Sequence, residues 1–245
     1  MEAIPVIERE YVLESKHDET PDVLVLRFMP RDGRPCEFDP GMFMMIFGVD
    51  AAGKRYVGRA FSIASDQSTP GMEFMVIKEP RHGEHVGRSH FVDAKPGDLF
   101  IFKGPNGQFR FDPRREGKVG FIAGGTGLAP FTSMLRHMRA TGAKNDNILF
   151  YSVRYPTEII WKQELDSYVR DLGTKLVITV TRPAEGDGWV GQTGHIDAQM
   201  IKGYAPDFIE RGWYICGPLA FVKAAKEALA SLGVQPNRVS ADVWG

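Results

Sequence analysis

Cysteine is scarce in this sequence, with Cys36 and Cys216 the only two among 245 residues. Two cysteines cannot build a disulfide framework, a zinc ribbon or a four-cysteine iron–sulfur cluster within the given sequence. We therefore expect a reduced, cytoplasmic protein. If the chain carries out redox chemistry, an organic cofactor has to carry the electrons.

Long apolar runs and an excess of charge of one sign are also missing. No apolar run approaches the ~20 residues of a membrane span, and the N-terminus lacks the apolar centre of a signal peptide. The formal net charge of −1 argues against a nucleic-acid-binding protein. With 43% hydrophobic and 25% charged residues, the chain has the composition of a globular protein with a real core.

The first part of the chain, residues 1–113, has the pattern of a β domain. Short runs rich in Val, Ile, Phe and Tyr predict six strands, at 11–14, 23–29, 43–49, 55–64, 72–78 and 99–103. Turn residues such as Pro40-Gly41 and Pro96-Gly97 separate them. This spacing predicts a small antiparallel barrel or sandwich, with one helix at 84–93.

The second part, residues 114–245, follows a charged, proline-containing joint and alternates strands with helices. The predicted strands lie at 119–123, 148–153, 175–181, 213–216 and 239–243. The predicted helices lie at 128–141, 157–171, 197–203 and 218–232. This order predicts an α/β domain with an open, doubly wound parallel sheet, which binds ligands at the carboxyl ends of its strands.

A glycine-rich stretch at 124–131 joins the first of these strands to the first helix. Glycines such as Gly125 and Gly127 let the backbone approach a pyrophosphate, and the free N–H groups of the helix start point at its negative charge. Pro130 occupies the place of the third glycine in G-x-G-x-x-G, which a first helical turn tolerates. The stretch predicts a nucleotide-phosphate loop, and the alternative is a tight strand-to-helix turn without a ligand.

The stretch Arg59-Ala60-Phe61-Ser62 places different groups on the two faces of a predicted strand. The planar guanidinium of arginine can bind a phosphate through two hydrogen bonds. The aromatic ring can stack on another ring, and the serine hydroxyl can hydrogen-bond a ring nitrogen. The alternative is an ordinary half-buried strand with one exposed arginine.

Taken together, these motifs resemble the ferredoxin–NADP reductase superfamily of flavoproteins, which includes cytochrome b5 reductase-like enzymes. The resemblance covers almost the whole chain and depends on the order of its motifs. They are Pro40-Gly41-Met42-Phe43, Arg59-x-Phe61-Ser62, Lys95-Pro96-Gly97-Asp98 with Gly104-Pro105-x-Gly107-x-Phe109, Gly124 to Pro130, Cys216-Gly217-Pro218, and Ala241-Asp242-Val243-Trp244.

For the first domain, the resemblance implies FAD binding. Arg59 would bind a flavin phosphate, Phe61 would pack on the isoalloxazine in place of the usual tyrosine, and Ser62 would hydrogen-bond near N5. Further FAD contacts would come from Ala60, Ile77, Lys78, Gly87, Arg88 and Ser89. Lys78 is equally well explained as a solvated strand end. The nearby His82, His85 and His90 lack metal spacing, so we interpret them as surface residues.

For the second domain, the resemblance implies a nicotinamide nucleotide site. Its residues would be Gly125, Thr126, Gly127, Pro130, Thr181, Arg182, Cys216, Gly217, Pro218 and Trp244. Arg182 favours the 2′-phosphate of NADPH, although NADH is possible. Cys216 would lie against the nicotinamide, where a position before a helix start lowers the pKa of a thiol; the alternative is a buried small hydrophobe.

Catalytic roles are implied for Ser62, Cys216, Asp242 and Trp244, with Trp244 as a stacking lid and Asp242 at proton-exchange distance. The implied activity is hydride transfer between nicotinamide C4 and flavin N5, with electrons passed to a carrier such as ferredoxin or flavodoxin. One alternative is the NADH-dependent reductase component of an oxygenase or hydrogenase-like complex, or a free-flavin reductase. Another is a non-enzyme electron-transfer subunit active only within a complex.

Overall fold

A computed structural model describes residues 4–50, 52–56, 58–78 and 89–244. The chain divides into two compact units, and α2 contributes to both. Unit 1 comprises Met1–Phe111 and Thr132–Ala140, and unit 2 comprises Asp112–Phe131 and Thr141–Gly245. Among the described residues, no helix combines the length and the apolar character needed to cross a membrane.

Unit 1 is a near-closed antiparallel barrel, which confirms the first part of the predicted fold. Its strands are β1 (Ile7–Thr20), β2 (Val23–Pro30), β3 (Phe43–Gly48), β4 (Arg59–Ser62), β5 (Met72–Ile77) and β6 (Leu99–Asn106). They are ordered β4-β3-β6-β1-β2-β5. The two edge strands approach each other where the Ala64 N–H donates to the Glu73 carbonyl over 2.9 Å.

Three strands of the barrel, β1, β4 and β6, differ in length from the prediction by three residues or more, and β6 continues three residues past the predicted end at 103. β1 spans 14 residues because its pairing with β2 and β6 continues into polar residues on either side of the apolar stretch at 11–14. Irregularities at Leu13/Ser15 and Asp18/Thr20 interrupt its pairing with β2. In contrast, the predicted strand 55–64 shrinks to β4, and Arg55 only bridges Val49.

Aromatic side chains fill the barrel. The Phe28 ring makes edge contacts with Phe74, Phe100 and Phe102, with centroids 5.0 to 6.0 Å apart. Such T-shaped pairs add to the free energy of burial. Helix α1 (Ser89–Asp93) covers part of this core through Phe91, and the remainder of the helix predicted at 84–93 lies outside the described residues.

Unit 2 contains the predicted parallel sheet. Its strands are β7 (Lys118–Gly124), β8 (Asp146–Val153), β9 (Lys175–Val180), β10 (Gln192–Thr193), β11 (Gly212–Pro218) and β12 (Val239–Trp244). Their order is β10-β9-β8-β7-β11-β12, and every paired neighbour runs parallel. The order reverses between β7 and β11, so these two strands form the topological switch point where such sheets bind ligands.

Four described helices alternate with these strands along the chain: α2 (Ala129–Thr141), α3 (Lys162–Leu172), α4 (Ala198–Tyr204) and α5 (Leu219–Ser231). The predicted apolar stripe of α2 is confirmed, because Phe131, Met134, Leu135 and Met138 are all fully buried. Helix α3 starts later than predicted, since Trp161 adopts a left-handed backbone conformation, with φ of 49°. That conformation interrupts a helix.

The buried side chain of Arg211, which directly precedes β11, hydrogen-bonds the amino ends of β7 and β8. Arg211 is 5% exposed. Its guanidinium donates to both carboxylate oxygens of Asp207, to the Val119 carbonyl, and to the carbonyl and carboxylate of Asp146, over 2.8 to 3.2 Å. Burial alone would raise the pKa of Asp207, but hydrogen bonds from Arg211 and Lys118 hold it below its ordinary value. This network stabilises the end of the sheet opposite the switch point.

Candidate functional site

The glycine-rich loop lies at the switch point of unit 2. β7 ends at Gly124, a 3₁₀ turn follows over Gly125–Leu128, and α2 begins at Ala129. Gly125 has a φ of +56°, and a Cβ on Gly127 would lie 2.2 Å from the Cys216 carbonyl oxygen. Glycine is therefore required at 127 for the loop to lie directly against β11. A narrow glycine turn at a strand-to-helix junction is the kind of backbone that binds a pyrophosphate.

Cys216 lies beside the loop, with Ala123 of β7 and Asp242 of β12 as its register partners. The predicted lowering of its thiol pKa is wrong. Burial raises the pKa of Cys216 well above its ordinary value, and the Asp242 carboxylate raises it further. Cys216 lies inside β11, two residues before the strand ends at Pro218, so the helix start is too far away to offset the loss of water.

Asp242 and Trp244 lie on the same face of β12, since side chains alternate along a strand. Burial raises the pKa of the Asp242 carboxyl, opposed by a hydrogen bond from the Val243 backbone. Trp244 pairs with Pro218 of β11. The Trp244 indole Nε1 is buried and has no hydrogen-bond partner among the described residues. Because such donors are normally satisfied, Trp244 is a candidate ligand contact.

Thr181 and Arg182 follow the carboxyl end of β9. The Thr181 hydroxyl donates to the Val153 carbonyl over 3.3 Å, and the Arg182 N–H donates to the Arg154 carbonyl over 2.8 Å. The Arg182 side chain is exposed and forms no hydrogen bond or ion pair with the described residues. Asp187 accepts the N–H groups of Ala184 and Trp189, so its carboxylate organises the loop.

Sequence reasoning missed a second arginine at this edge. Arg154 follows the end of β8, and its guanidinium is bound by the Glu158 carboxylate, which also accepts the Arg154 N–H at 3.0 Å. The signal was present, because both arginines directly follow predicted strands. Arg182 is therefore the more accessible cation for a ligand phosphate.

The stretch Arg59-Ala60-Phe61-Ser62 forms β4, paired with β3 from Ile46 to Phe43. Arg59 and Phe61 share one face of the strand, while Ala60 and Ser62 share the other. Phe61 is half-buried, and its ring makes edge contacts with Phe74 at 6.5 Å and Phe91 at 4.8 Å. β4 therefore carries Arg59 and Phe61 on one face and Ser62 on the other, and their contact with a flavin stays a prediction.

The remaining predicted FAD contacts are less clearly defined. Ile77 ends β5, and the Lys78 ammonium forms an ion pair with Asp18 at 2.6 Å, which favours the strand-end explanation. Gly87 and Arg88 lie outside the described residues, as do His82 and His85, and Ser89 starts α1.

His90 stacks on the Tyr56 ring at 3.5 Å. In the described parts of the chain, no three His, Cys, Asp or Glu side chains are grouped so that they could hold a metal ion.

Comparisons with known proteins identify both units. The model of an oxidoreductase FAD-binding domain matches residues 10–111, and that of an oxidoreductase NAD-binding domain matches residues 121–227. The chain therefore carries an FAD-binding and an NAD-binding oxidoreductase domain in this order. It belongs to the ferredoxin–NADP reductase superfamily.

Three similar proteins illustrate its place in this superfamily. The glycine betaine monooxygenase reductase subunit of Pseudomonas aeruginosa is 31% identical, over 93% of this chain and 62% of that protein. NADH-cytochrome b5 reductase 1 of Laccaria bicolor is 29% identical, over 96% and 77%. The ferredoxin reductase in carbazole 1,9a-dioxygenase has a TM-score of 0.84 and 25% identity, over 100% and 71%. The chain thus spans less than two thirds of the monooxygenase reductase subunit that it matches.

Proposed function

We propose that this protein is an FAD-dependent NAD(P)H reductase that supplies electrons to an oxygenase through a separate carrier. The observation that carries this proposal is the glycine-rich loop, which lies directly against β11 at the switch point of unit 2. The barrel of the same chain matches an FAD-binding domain. Relatives named as a monooxygenase reductase subunit or component support an oxygenase system over the ferredoxin–NADP reductase activity first expected.

In unit 1, the side chains of β4 have the chemistry to bind FAD. The Arg59 guanidinium would pair with a flavin phosphate, Phe61 would offer an apolar surface to the isoalloxazine, and the Ser62 hydroxyl would hydrogen-bond near N5. The chemistry that bound FAD would supply is acceptance of hydride from a reduced nicotinamide and release of the electrons in one- or two-electron steps. The protein orients the rings and excludes water from them.

In unit 2, the loop from Gly125 to Gly127 binds the pyrophosphate of the nicotinamide nucleotide through its backbone amides. Cys216 supplies a small, neutral surface beside it, because burial keeps the thiol protonated. The raised pKa of Asp242 lets its carboxyl retain a proton at higher pH than an exposed aspartate, so it is the group here that can exchange one.

The exposed Arg182 side chain is proposed to contact the 2′-phosphate of NADPH, with NADH as the alternative nucleotide. Removing it should weaken NADPH binding and leave NADH binding nearly unchanged, because only NADPH carries that phosphate. Stopped-flow flavin reduction of Arg182→Ala, with each nucleotide at several concentrations, measures the two affinities. Equal changes in the affinities for NADH and NADPH would contradict this role of Arg182.

Anaerobic mixing of the FAD-loaded protein with NADH or NADPH tests the enzyme itself. Bleaching of the flavin absorbance is expected. A protein that stays yellow with both nucleotides is not a reductase by itself and fits an electron-transfer subunit active only within a complex. Failure to take up FAD on reconstitution contradicts both.

The acceptor is tested by steady-state turnover with a [2Fe–2S] ferredoxin, a flavodoxin or free FMN. We expect the ferredoxin to be reduced fastest, because the similar protein in carbazole 1,9a-dioxygenase is a ferredoxin reductase. Faster turnover with FMN would favour a free-flavin reductase. The cysteine content also supports a reducing, cytoplasmic location.

A further inference from the structure

A buried hydrogen bond joins α2 to the segment that follows the flavin strand β4. The Ser133 hydroxyl donates to the Ser65 carbonyl over 2.7 Å. Both residues belong to unit 1, with Ser133 fully buried and Ser65 3% exposed. A buried carbonyl that loses its donor keeps its desolvation cost, so this bond constrains the backbone at Ser65.

The same segment closes the barrel against β5. The Ala64 N–H donates to the Glu73 carbonyl over 2.9 Å, and the Glu73 N–H donates back to the Ser65 hydroxyl oxygen over 3.2 Å. Arg136, one turn beyond Ser133 on α2, donates to the Ala64 carbonyl over 3.2 Å and to the Glu73 carboxylate over 2.5 Å. Two residues of α2 therefore bind the backbone carbonyls of consecutive residues, Ala64 and Ser65.

Contacts also reach the start of β3, the strand paired with β4. A Cβ on Gly41 would lie 2.7 Å from the Met134 methyl group, so Met134 packs closely over this turn. The Met42 carbonyl in turn accepts the Ile63 N–H over 3.0 Å. Packing from α2 thus constrains the backbone on both sides of Ser62.

We propose that Ser133 and Arg136 are positioning residues for the flavin, acting through Ala64 and Ser65 on the placement of Ser62. This inference rests on the proposed role of β4 as the flavin strand. A hydrogen bond to a reacting atom depends on placement to within a fraction of an ångström. Loss of the Ser133 anchor lets the Ser62 hydroxyl drift, which alters its bond near N5 and hence the flavin affinity and potential.

The test compares Ser133→Ala with Ser231→Ala in the full-length, FAD-reconstituted protein. Like Ser133, Ser231 is a helix serine whose hydroxyl donates to a backbone carbonyl, here that of Ala228 over 2.8 Å within α5. Unlike Ser133, it is exposed and lies in unit 2. Ser133→Ala should weaken FAD binding about 2- to 30-fold and shift both the flavin absorption band and the midpoint potential. Ser231→Ala should leave all three unchanged.

Two further variants keep the inference testable if Ser133→Ala unfolds. Ser133→Thr retains the hydroxyl and should restore the wild-type potential. Arg136→Lys retains the charge beside Glu73 but loses the fixed geometry of the guanidinium, and should shift the potential in the same direction as Ser133→Ala. Wild-type FAD affinity, spectrum and potential in Ser133→Ala, with only a lower melting temperature, would overturn the inference. A wild-type protein that binds no FAD would instead contradict the proposed function.

Discussion

Substitution of Gly127 by alanine is the sharpest perturbation of the nucleotide loop. The added Cβ would lie 2.2 Å from the Cys216 carbonyl oxygen and 2.9 Å from the Gly217 Cα. Both are backbone atoms, so no side chain can rotate away. Restoring ordinary contact requires the loop and β11 to separate by about 1 Å. Overpacking of this kind costs roughly 1–3 kcal/mol of stability.

Two other glycines provide matched controls for Gly127→Ala. Gly117 has no described heavy atom within 4 Å of its Cβ position and no positive φ, so Gly117→Ala isolates the loss of a glycine. Gly125 has equally open space but a φ of +56°, so Gly125→Ala isolates backbone strain, which costs about 1–2 kcal/mol. Only Gly127→Ala drives the loop away from β11.

The assay is anaerobic stopped-flow reduction of bound FAD at increasing NADH concentration, with FAD content and melting temperature measured in parallel. Because a misplacement of about 1 Å can cost 100-fold in a positioned site, Gly127→Ala should raise the apparent Kd for the nucleotide by roughly 10- to 100-fold. FAD content should stay at the wild-type level. Wild-type nucleotide affinity in Gly127→Ala, or an equal loss in Gly117→Ala, would refute the role of this close approach.

Three other predictions concern buried charged and thiol groups. Arg211→Met should lower the free energy of unfolding by about 1–3 kcal/mol in urea, because the Val119 and Asp146 carbonyls lose their buried donor and Asp207 keeps only its pairing with Lys118 among the described residues, whereas the exposed Arg170→Met should change it little. The Cys216 thiol should resist a thiol reagent in the native protein and react once unfolded, so rapid native labelling would contradict its raised pKa. The raised pKa of Asp242 means that its contribution to stability is lost as pH rises through the folded-state pKa. Asp242→Asn should therefore raise the melting temperature more at pH 8 than at pH 4, and a uniform shift would count against this.

Several features of the fold were predictable because they depend on neighbours along the chain. The stripe Phe131, Met134, Leu135 and Met138 identified the buried face of α2, since helical periodicity is a local property. The alternation of strands and helices after residue 113 predicted the parallel sheet, because parallel strands need crossover connections. Strand ends were less predictable, as β1 shows, because pairing with β2 and β6 extends it into polar sequence.

Some features of the candidate site could likewise be predicted from the sequence, and others could not. The residue types of β4 and of the glycine loop could be identified from the sequence, since glycine, arginine and serine have distinct chemistry at fixed spacing. The pKa of Cys216 could not, and its predicted direction was wrong, because burial among β7, β11 and β12 outweighs the nearby helix start. The pairing of Lys78 with Asp18 likewise depends on strands brought together by the barrel.

By itself the sequence determined the alternation of strands and helices and the glycines of the loop, because these follow from periodicity, turn chemistry and backbone sterics. The paired cofactor domains were implied by the order of motifs that resembles the ferredoxin–NADP reductase superfamily. Only the tertiary structure decided which groups lose water and which meet across the chain. The Ser133–Ser65 hydrogen bond joins residues 68 positions apart. Its formation depends on the packing of α2 against the barrel of unit 1, which no local pattern encodes.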